Sequence, residues 1–285
     1  MGAGGEMERE ISPALKLYTG DSLGPDPFDP HVLATRELLR CPEALRTPRE
    51  MEPFSRGWFE EIELKRYTRQ GEWLPRLLEF SRHRQESLLM LGPGLGTDAI
   101  QYDRHGTEVT IGVTDADPAD ALRQNFAARG RAVTSVHVEL DRLPFHPSSF
   151  DLAYINALHP LHANLAPSVT EIFRILRPGG KVFGLFPARF DVRYWHAKIL
   201  PLLRFARKNI VAPGTAPGIT ARELTSLFSP FEKRGIWRRH LRRNELPWLW
   251  KPFPLPIMQR IMGHVLIVKA FKPISAATAP SSRAA

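Results

Sequence analysis

The amino-acid sequence predicts an α/β protein with a doubly wound parallel sheet, and two patterns carry that prediction. First, short apolar runs of strand length alternate with stretches of helical periodicity between residues 87 and 186. Second, the first run ends in a glycine-rich turn that opens a helix-like stretch. Strands separated by helices of this length pair in parallel, so their carboxyl ends meet at one edge of the sheet. Ligands of such sheets bind at that edge.

The order of the elements follows from the periodicity. Five apolar runs are predicted as strands: 87–91, 109–113, 133–138, 151–155 and 181–186. The helices predicted between them cover 97–105, 118–129 and 165–176. A short helix over 220–228, with Thr220 as its N-cap and Glu223 three residues later, precedes two β-like runs, 233–241 and 264–271.

The N-terminal part is less regular. Prolines and Gly24 interrupt any periodicity in residues 1–52, although 31–39 is predicted as a short helix. Apolar residues at helical spacing then predict two amphipathic helices within 53–86. The Ala/Ser/Pro-rich tail 273–285 is expected to be flexible.

Composition excludes several classes of protein. The chain is 43% hydrophobic, which excludes a disordered chain, and its single cysteine, Cys41, excludes a disulfide framework and a cysteine-rich metal site. No run of about 18 apolar residues predicts a membrane span. We therefore expect a cytoplasmic protein.

The net charge of +9 is concentrated in the last third of the chain. Residues 1–186 carry a net charge of −5, and residues 187–285 carry +14. A basic region of this kind suits nucleic acid, an anionic membrane surface or an acidic substrate, or it is simply a solvated face.

The glycine-rich turn is the sharpest motif. Gly92, Gly94 and Gly96 follow the first strand directly, where they permit a tight turn and the close approach of a ligand. The dinucleotide-binding fingerprint would require glycine where Thr97 stands, so a bare structural turn is the alternative. About 20 residues later the second strand ends in Asp115, which can accept hydrogen bonds from ribose hydroxyls. Asp117 is expected to cap the next helix instead.

Four segments in register resemble the class I S-adenosylmethionine-dependent methyltransferases, and in particular the branch that acts on small molecules. They are Leu91–Asp98, Glu139–Phe145 with its Leu-Pro-Phe ending, Ser149–His159, and Glu171–Lys181 with its Leu-Arg-Pro-Gly-Gly sequence. The resemblance covers about residues 53–272. It implies a methyltransferase domain over 53–272, with N-terminal helices in 53–86 and a substrate-side insertion in 187–230. It also implies a seven-stranded, mostly parallel sheet with an antiparallel C-terminal hairpin at its edge.

The resemblance also implies roles for individual residues. Gly92, Gly94 and Gly96 match the loop that holds the methionyl part of S-adenosylmethionine, and Asp115 matches the acid that holds its ribose. The segment after the fourth strand would flank the sulfonium and the substrate. The remaining cofactor-binding residues are then Glu139 and Leu140 near the adenine, and Asn156 beside the reaction chamber.

The sequence departs from the family pattern at three positions. Met90 stands where the family commonly has an acid, Pro93 removes a backbone donor from the loop, and Pro160 replaces the second histidine of a Leu-His-His sequence. Each departure is expected to weaken cofactor binding without abolishing it.

A general base is needed only if the acceptor atom must lose a proton, and His159 is the best candidate, with His162 second. The alternative is that His159 packs or forms hydrogen bonds within its loop. No metal site is expected, since these histidines have no carboxylates at ligand spacing.

The resemblance therefore implies methyl transfer from S-adenosylmethionine to a small or lipid-like metabolite. Basic and aromatic residues alternate in 193–210 and around Trp248 and Trp250, which suits peripheral contact with an anionic membrane. The alternative to membrane contact for 193–210 is a helix whose apolar face packs on the sheet and whose basic face is solvated. The rival functions are a non-catalytic binding or membrane-associated protein on the same scaffold, and a nucleic-acid methyltransferase. The latter is disfavoured because the chain has no recognised nucleic-acid module or Asn-Pro-Pro-Tyr motif.

Overall fold

The strands form one sheet in the computed structural model, which describes residues 26, 28–39, 50–159, 165–192, 194–195, 218–246 and 250–274. The strands are β1 (Ser87–Leu91), β2 (Glu108–Val113), β3 (Thr134–His137), β4 (Phe150–Asn156), β5 (Leu176–Pro187), β6 (Glu232–Arg239) and β7 (Val265–Phe271). Their order is β3-β2-β1-β4-β5-β7-β6. The first five pair in parallel, whereas β7 is antiparallel to both β5 and β6. The predicted fold class is therefore confirmed, including the antiparallel C-terminal edge.

Helices lie before the sheet and between its strands. They are α1 (Pro30–Glu37), α2 (Arg56–Lys65), α3 (Leu74–Leu78), α4 (Thr97–Arg104), α5 (Ala119–Ala128), α6 (Leu165–Ile175), α7 (Ala221–Leu227) and α8 (Leu255–Met262). The helix α2 continues into a π-helical turn, Arg66–Gln70. None of the helices in the described ranges is long and apolar enough to cross a membrane.

Both faces of the sheet are buried because neighbouring residues of a strand point to opposite faces. Leu89 and Leu91 pack on the face covered by α6 and α7, while Leu88 and Met90 pack on the face covered by α3 and α4. This explains why the central strands are uninterrupted apolar runs rather than alternating ones.

Local sequence signals fix several of the boundaries. The helix α7 begins with a capping box, in which the Thr220 hydroxyl accepts from the Glu223 N–H and the Glu223 carboxylate accepts from the Thr220 N–H. The predicted role of Asp117 is wrong by one residue, since Pro118 is the N-cap of α5. The Asp117 carboxylate instead accepts hydrogen bonds from the N–H and hydroxyl of Thr114, which close the turn after β2.

The N-terminal segment contributes to the core. The predicted short helix is α1, which packs through Leu33 and Leu38 against Trp58 and Ile62 of α2 and against Leu95 of the glycine-rich loop. This contact brings a part of the irregular extension onto the sheet edge where a ligand is expected. The basic helix predicted over 193–210 lies almost wholly outside the described residues.

Glu79 ties the N-terminal helices to the antiparallel edge of the sheet. Its carboxylate accepts hydrogen bonds from the ammonium groups of Lys181 on β5 and Lys269 on β7, each at 2.7 Å. Although burial alone would raise it, the two lysines lower the pKa of Glu79 from 4.5 to about 2. The ion pairs therefore stabilise the fold above pH 4.5, and that stabilisation is lost as the pH falls from 4.5 towards 2.

Glu79→Gln should lower the free energy of unfolding at pH 7 by about 1–3 kcal/mol, because two partly buried lysines lose a charged acceptor. Urea denaturation at pH 7 and at pH 3 measures the effect, and the difference from the wild type should shrink at the lower pH. The matched control is Glu60→Gln, which breaks an exposed pair with Arg56 and should cost under about 1 kcal/mol. Equal losses for the two variants at pH 7 would contradict this account of Glu79.

Candidate functional site

The glycine-rich loop lies at the carboxyl edge of the sheet. Gly92, Gly94 and Gly96 have φ angles of 67°, 55° and 78°, a region that L side chains rarely adopt. Leu91 pairs with Gly112, so the loop and the turn after β2 leave the sheet side by side. Every residue from 91 to 100 is buried. The loop is therefore a buried turn between β1 and α4.

Two of the glycines are required by close neighbours. A Cβ atom on Gly94 would lie 2.3 Å from the imidazole of His159 and 2.6 Å from the Oε1 atom of Glu37. A Cβ atom on Gly96 would lie 2.4 Å from Leu122, so this glycine lets α5 pack against the start of α4. The wall of the loop near Gly94 is thus formed by side chains from elsewhere in the chain.

A buried ionic cluster supports the loop from the side of the N-terminal helices. The Arg66 guanidinium donates to both oxygens of Asp98, from Nε at 2.9 Å and from Nη2 at 2.6 Å. The hydroxyls of Tyr67 and Tyr154 also donate to Asp98, at 2.6 and 2.7 Å. Arg66 further donates to the backbone carbonyl of Glu37. These contacts fix the end of α1 and the first turn of α4 relative to each other.

The carboxylate of Glu37 enters the loop itself. Its Oε1 atom accepts a hydrogen bond of 2.6 Å from the N–H of Leu95, and its Oε2 atom lies 3.6 Å from Arg66. Burial raises the pKa of Glu37 from 4.5 to about 7, against the opposing effect of Arg66. Burial also opposes ionisation of Asp98, but Arg66 outweighs it and holds the pKa of Asp98 below its ordinary value.

The predicted ribose and adenine residues lie at the same edge of the sheet. Asp115 follows β2 with its side chain 98% exposed, 3.9 Å from the imidazole of His137. Glu139 is exposed in the turn after β3, whereas Leu140 is buried in the core. A cavity of about 300 Å³, lined in part by Phe28 and Phe54, lies beside the turn that follows Asp115. The cofactor-binding roles of these residues stay predictions.

The segment after β4 brings the remaining predicted residues to the loop. Asn156 is buried at the end of β4, and its Oδ1 atom accepts from the N–H of Leu158. His159 is 2% exposed, and its Nε2 atom lies 3.7 Å from Glu37. This placement agrees with the packing alternative for His159, while its role as general base stays a prediction. His162 and Pro160 lie outside the described residues.

A second titratable cluster lies further along the same edge. The Nδ1 atom of His264 lies 2.9 Å from Asp191, which follows β5, and its Nε2 atom lies 3.4 Å from Glu245. Burial disfavours the charged imidazole, but the two carboxylates outweigh it and raise the pKa of His264. The neighbouring His240 is buried beside His264, and its pKa falls to about 4. In the described part of the chain, no group of three or more such residues is arranged to hold a metal ion.

One comparison with known proteins gives a family match. Residues 89–184, from β1 to β5, match the family model described as a methyltransferase domain. The match supports the resemblance to the class I methyltransferases that the four motifs predicted, the class whose cofactor is S-adenosylmethionine. Comparison with curated protein sequences gives no match.

Three solved structures with a similar fold are described by their sequence identity, the share of each chain that is covered, and the TM-score. The YcgJ protein of Bacillus subtilis is 14% identical, with 71% of this chain and 98% of that chain covered and a TM-score of 0.49. Phosphoethanolamine N-methyltransferase 2 of Haemonchus contortus, in complex with S-adenosyl-L-methionine, is 15% identical. The similarity covers 71% of this chain and 52% of that chain, with a TM-score of 0.47. A SAM-dependent methyltransferase of Methanosarcina mazei is 19% identical. The similarity covers 70% of this chain and 98% of that chain, with a TM-score of 0.45.

Gly94→Ala should destabilise the protein by at least about 2 kcal/mol more than Gly130→Ala, because its new methyl group meets His159 and Glu37. The control, Gly130, also has a positive φ of 64° but nothing within 4 Å of an added Cβ. The Gly130→Ala variant therefore measures only the cost of placing a side chain at positive φ, which is about 1–2 kcal/mol. Thermal or urea unfolding measures both, and equal losses would show that the space at Gly94 is not restricted.

Proposed function

We propose that this protein transfers a methyl group from S-adenosylmethionine to a small or lipid-like acceptor. The observation that carries the proposal is the juxtaposition of a loop with three positive-φ glycines and an exposed carboxylate, Asp115, at one sheet edge. The methyltransferase family match over residues 89–184 supports it.

The residues present are chemically suited to the cofactor. Asp115 is almost completely exposed, so its oxygens are available to two ribose hydroxyls. The cavity beside the turn that follows Asp115 has Phe28 and Phe54 in its wall, and such rings suit an aromatic base. Near the loop, two buried carboxylates face a single guanidinium, which suits a ligand that brings positive charge.

When bound, S-adenosylmethionine supplies a methyl group on a positively charged sulfur, and an acceptor atom displaces that sulfur in line. The task of the chain is then to hold and align the reactants, which is worth about 7–11 kcal/mol when alignment is good. The buried loop and Asn156 exclude water on one side of the reaction chamber. His159 would accept a proton only if the acceptor must lose one.

The proposed acceptor side carries an exposed apolar surface. On α8, Met258 and Met262 pack inward, while Ile257 and Ile261 are 51% and 41% exposed, and Phe253 just before the helix is 53% exposed. The helix ends beside Val265, which pairs with Pro187 at the end of β5. The surface is therefore at the same edge of the sheet as the glycine-rich loop.

Basic residues surround this apolar surface. Lys251, Arg260 and Arg243 are exposed around α8, and Arg243 donates to the carbonyl of Lys251. Exposed apolar side chains bordered by cations fit an anionic bilayer surface, which accepts both. We propose that α8 contacts such a surface, which would give the site access to a lipid-like acceptor.

A nucleic-acid partner would be contacted by the arginines of the basic stretch 238–243, and two of these four arginines, Arg238 and Arg242, are already engaged within the chain. Arg238 donates to the carbonyls of Phe190 and Ile261, and Arg242 donates to Gln70. Phosphate contacts would have to compete with these bonds. This observation favours the membrane surface over nucleic acid as the anionic partner.

Asp115→Ala should raise the dissociation constant of S-adenosylmethionine at least about tenfold, since a bidentate hydrogen-bonded acceptor is lost. Titration calorimetry measures it, and unfolding should be unchanged because the side chain is exposed. The control is Glu108→Ala, an exposed carboxylate at the opposite end of the same strand, which should leave binding unchanged.

Two outcomes would contradict the proposed function or its site. A folded wild type that binds neither S-adenosylmethionine nor S-adenosylhomocysteine is not a methyltransferase of this class. Unchanged affinity in Asp115→Ala would show that the ribose lies elsewhere.

The double variant Ile257→Glu, Ile261→Glu should lower the fraction of protein that sediments with anionic phosphatidylserine vesicles at least about fivefold, because charge replaces apolar contact. Raising the salt concentration should lower wild-type binding as well. The control is Ile274→Glu, which changes an apolar residue that is 82% exposed outside this surface. Equal losses in all variants, or loss of a concentration-dependent dimer instead of vesicle binding, would overturn the membrane assignment.

A further inference from the structure

Glu37 is a carboxylate from outside the matched family segment that forms part of the glycine-rich loop. It is the last residue of α1, 58 positions before the Leu95 N–H that it accepts from at 2.6 Å. Its side chain is 1% exposed, and its Oε1 atom lies where a side chain at Gly94 would be. Only the absence of a side chain at Gly94 leaves room for it.

Two buried carboxylates, Glu37 and Asp98, lie beside the same guanidinium. The groups that face Glu37 are the Arg66 guanidinium at 3.6 Å, the Asp98 carboxylate behind that guanidinium, and the His159 imidazole at 3.7 Å. Arg66 directs two N–H groups to Asp98, and the phenols of Tyr67 and Tyr154, which also contact Asp98, are neutral. The two carboxylates thus share one permanently charged group, Arg66.

A buried carboxylate without its own cation is unstable as an anion, and it responds by keeping a proton. The raised pKa of Glu37, about 7 instead of 4.5, agrees with this geometry. At neutral pH the position thus alternates between a protonated acid and a carboxylate that shares its counter-ion with Asp98. A cationic ligand beside the loop would supply the missing charge.

We propose that Glu37 binds the positively charged amino group at the methionine end of S-adenosylmethionine. The inference rests on the proposed function, which assigns the methionyl part of the cofactor to this loop. The ammonium group then pairs with the carboxylate, and the proton that Glu37 held in the free protein goes to solvent. The affinity for the cofactor should accordingly rise with pH up to about 7 and level off above it.

Glu37→Gln tests the assignment because glutamine keeps the size and the acceptor for Leu95 but removes the charge. The probes are S-adenosylmethionine, S-adenosylhomocysteine and 5′-methylthioadenosine, which lacks the amino-acid end. We expect the dissociation constants of the first two to rise at least about tenfold in titration calorimetry. That of 5′-methylthioadenosine should change less than about twofold.

Proton release provides a second readout that does not depend on catalysis. Calorimetry of S-adenosylhomocysteine at pH 6 in buffers of different ionisation enthalpy should show that the wild type releases nearly one proton on binding. The release should be small at pH 8.5 and absent in Glu37→Gln at both values.

The control variant is Glu63→Gln, since Glu63 is a largely buried carboxylate on α2 that pairs with Arg104 and Arg129 away from the loop. All three dissociation constants should be unchanged in it. If Glu37→Gln does not fold, Glu37→Asp keeps the charge but withdraws it from Leu95. In that variant, affinity should again fall for S-adenosylmethionine and S-adenosylhomocysteine, which carry the amino group, and not for 5′-methylthioadenosine.

The remaining outcomes overturn the proposal. Equal weakening of all three ligands would make Glu37 a structural residue, and tighter binding of all three would make it an obstruction. A much larger loss for S-adenosylmethionine than for S-adenosylhomocysteine would place the carboxylate at the sulfonium. If the wild type binds none of the probes, the proposed function itself is wrong, and the role of Glu37 that rests on it is wrong as well.

Discussion

The buried ion pair between Arg66 and Asp98 is the interaction on which the candidate site depends. Its guanidinium also donates to the carbonyl of Glu37, so it joins the end of α1, the turn after α2 and the first turn of α4. Removing one partner of a pair this deeply buried costs about 3–5 kcal/mol, because the other charge is left without compensation. The pair therefore matters chiefly for where it holds these three segments.

The two halves of the site differ in how they are supported. The loop side is buried, with Leu95 packed among residues of α1 and α2 and with Gly96 pressed against α5. The Asp115 side projects into solvent from the turn that Asp117 and Thr114 close. A rigid loop and an open carboxylate thus stand next to each other because β1 and β2 are neighbours in the sheet.

Much of the fold could be predicted from the sequence because its signals are local. Apolar runs predict β1 to β4 to within one residue at each end, whereas β5 begins five residues before the predicted run; the Thr220–Glu223 spacing predicts the start of α7. The glycine spacing located the loop. Each of these signals depends on residues that are close together in the chain, and each has one dominant physical cause.

The parts that could not be predicted depend on contacts between distant residues. Glu37 and Leu95 are 58 positions apart, and Arg66 and Asp98 are 32 apart, so no local pattern relates them. Glu37 lies in the short helix predicted over 31–39, but no motif in that helix relates its carboxylate to the glycine-rich loop. The N-cap of α5 was misplaced because the Asp117 carboxylate had a nearer donor group in Thr114.

The shared space of Gly94, Glu37 and His159 has a consequence for how this protein can change during evolution. The three positions lie far apart in sequence but are packed so closely that a larger side chain at one requires a smaller one at another. Substitutions there should be strongly non-additive. Homologues that keep an acid in α1 should therefore keep glycine at the position of Gly94, whereas loss of the acid alone does not free that position, because His159 and the positive φ still require glycine there.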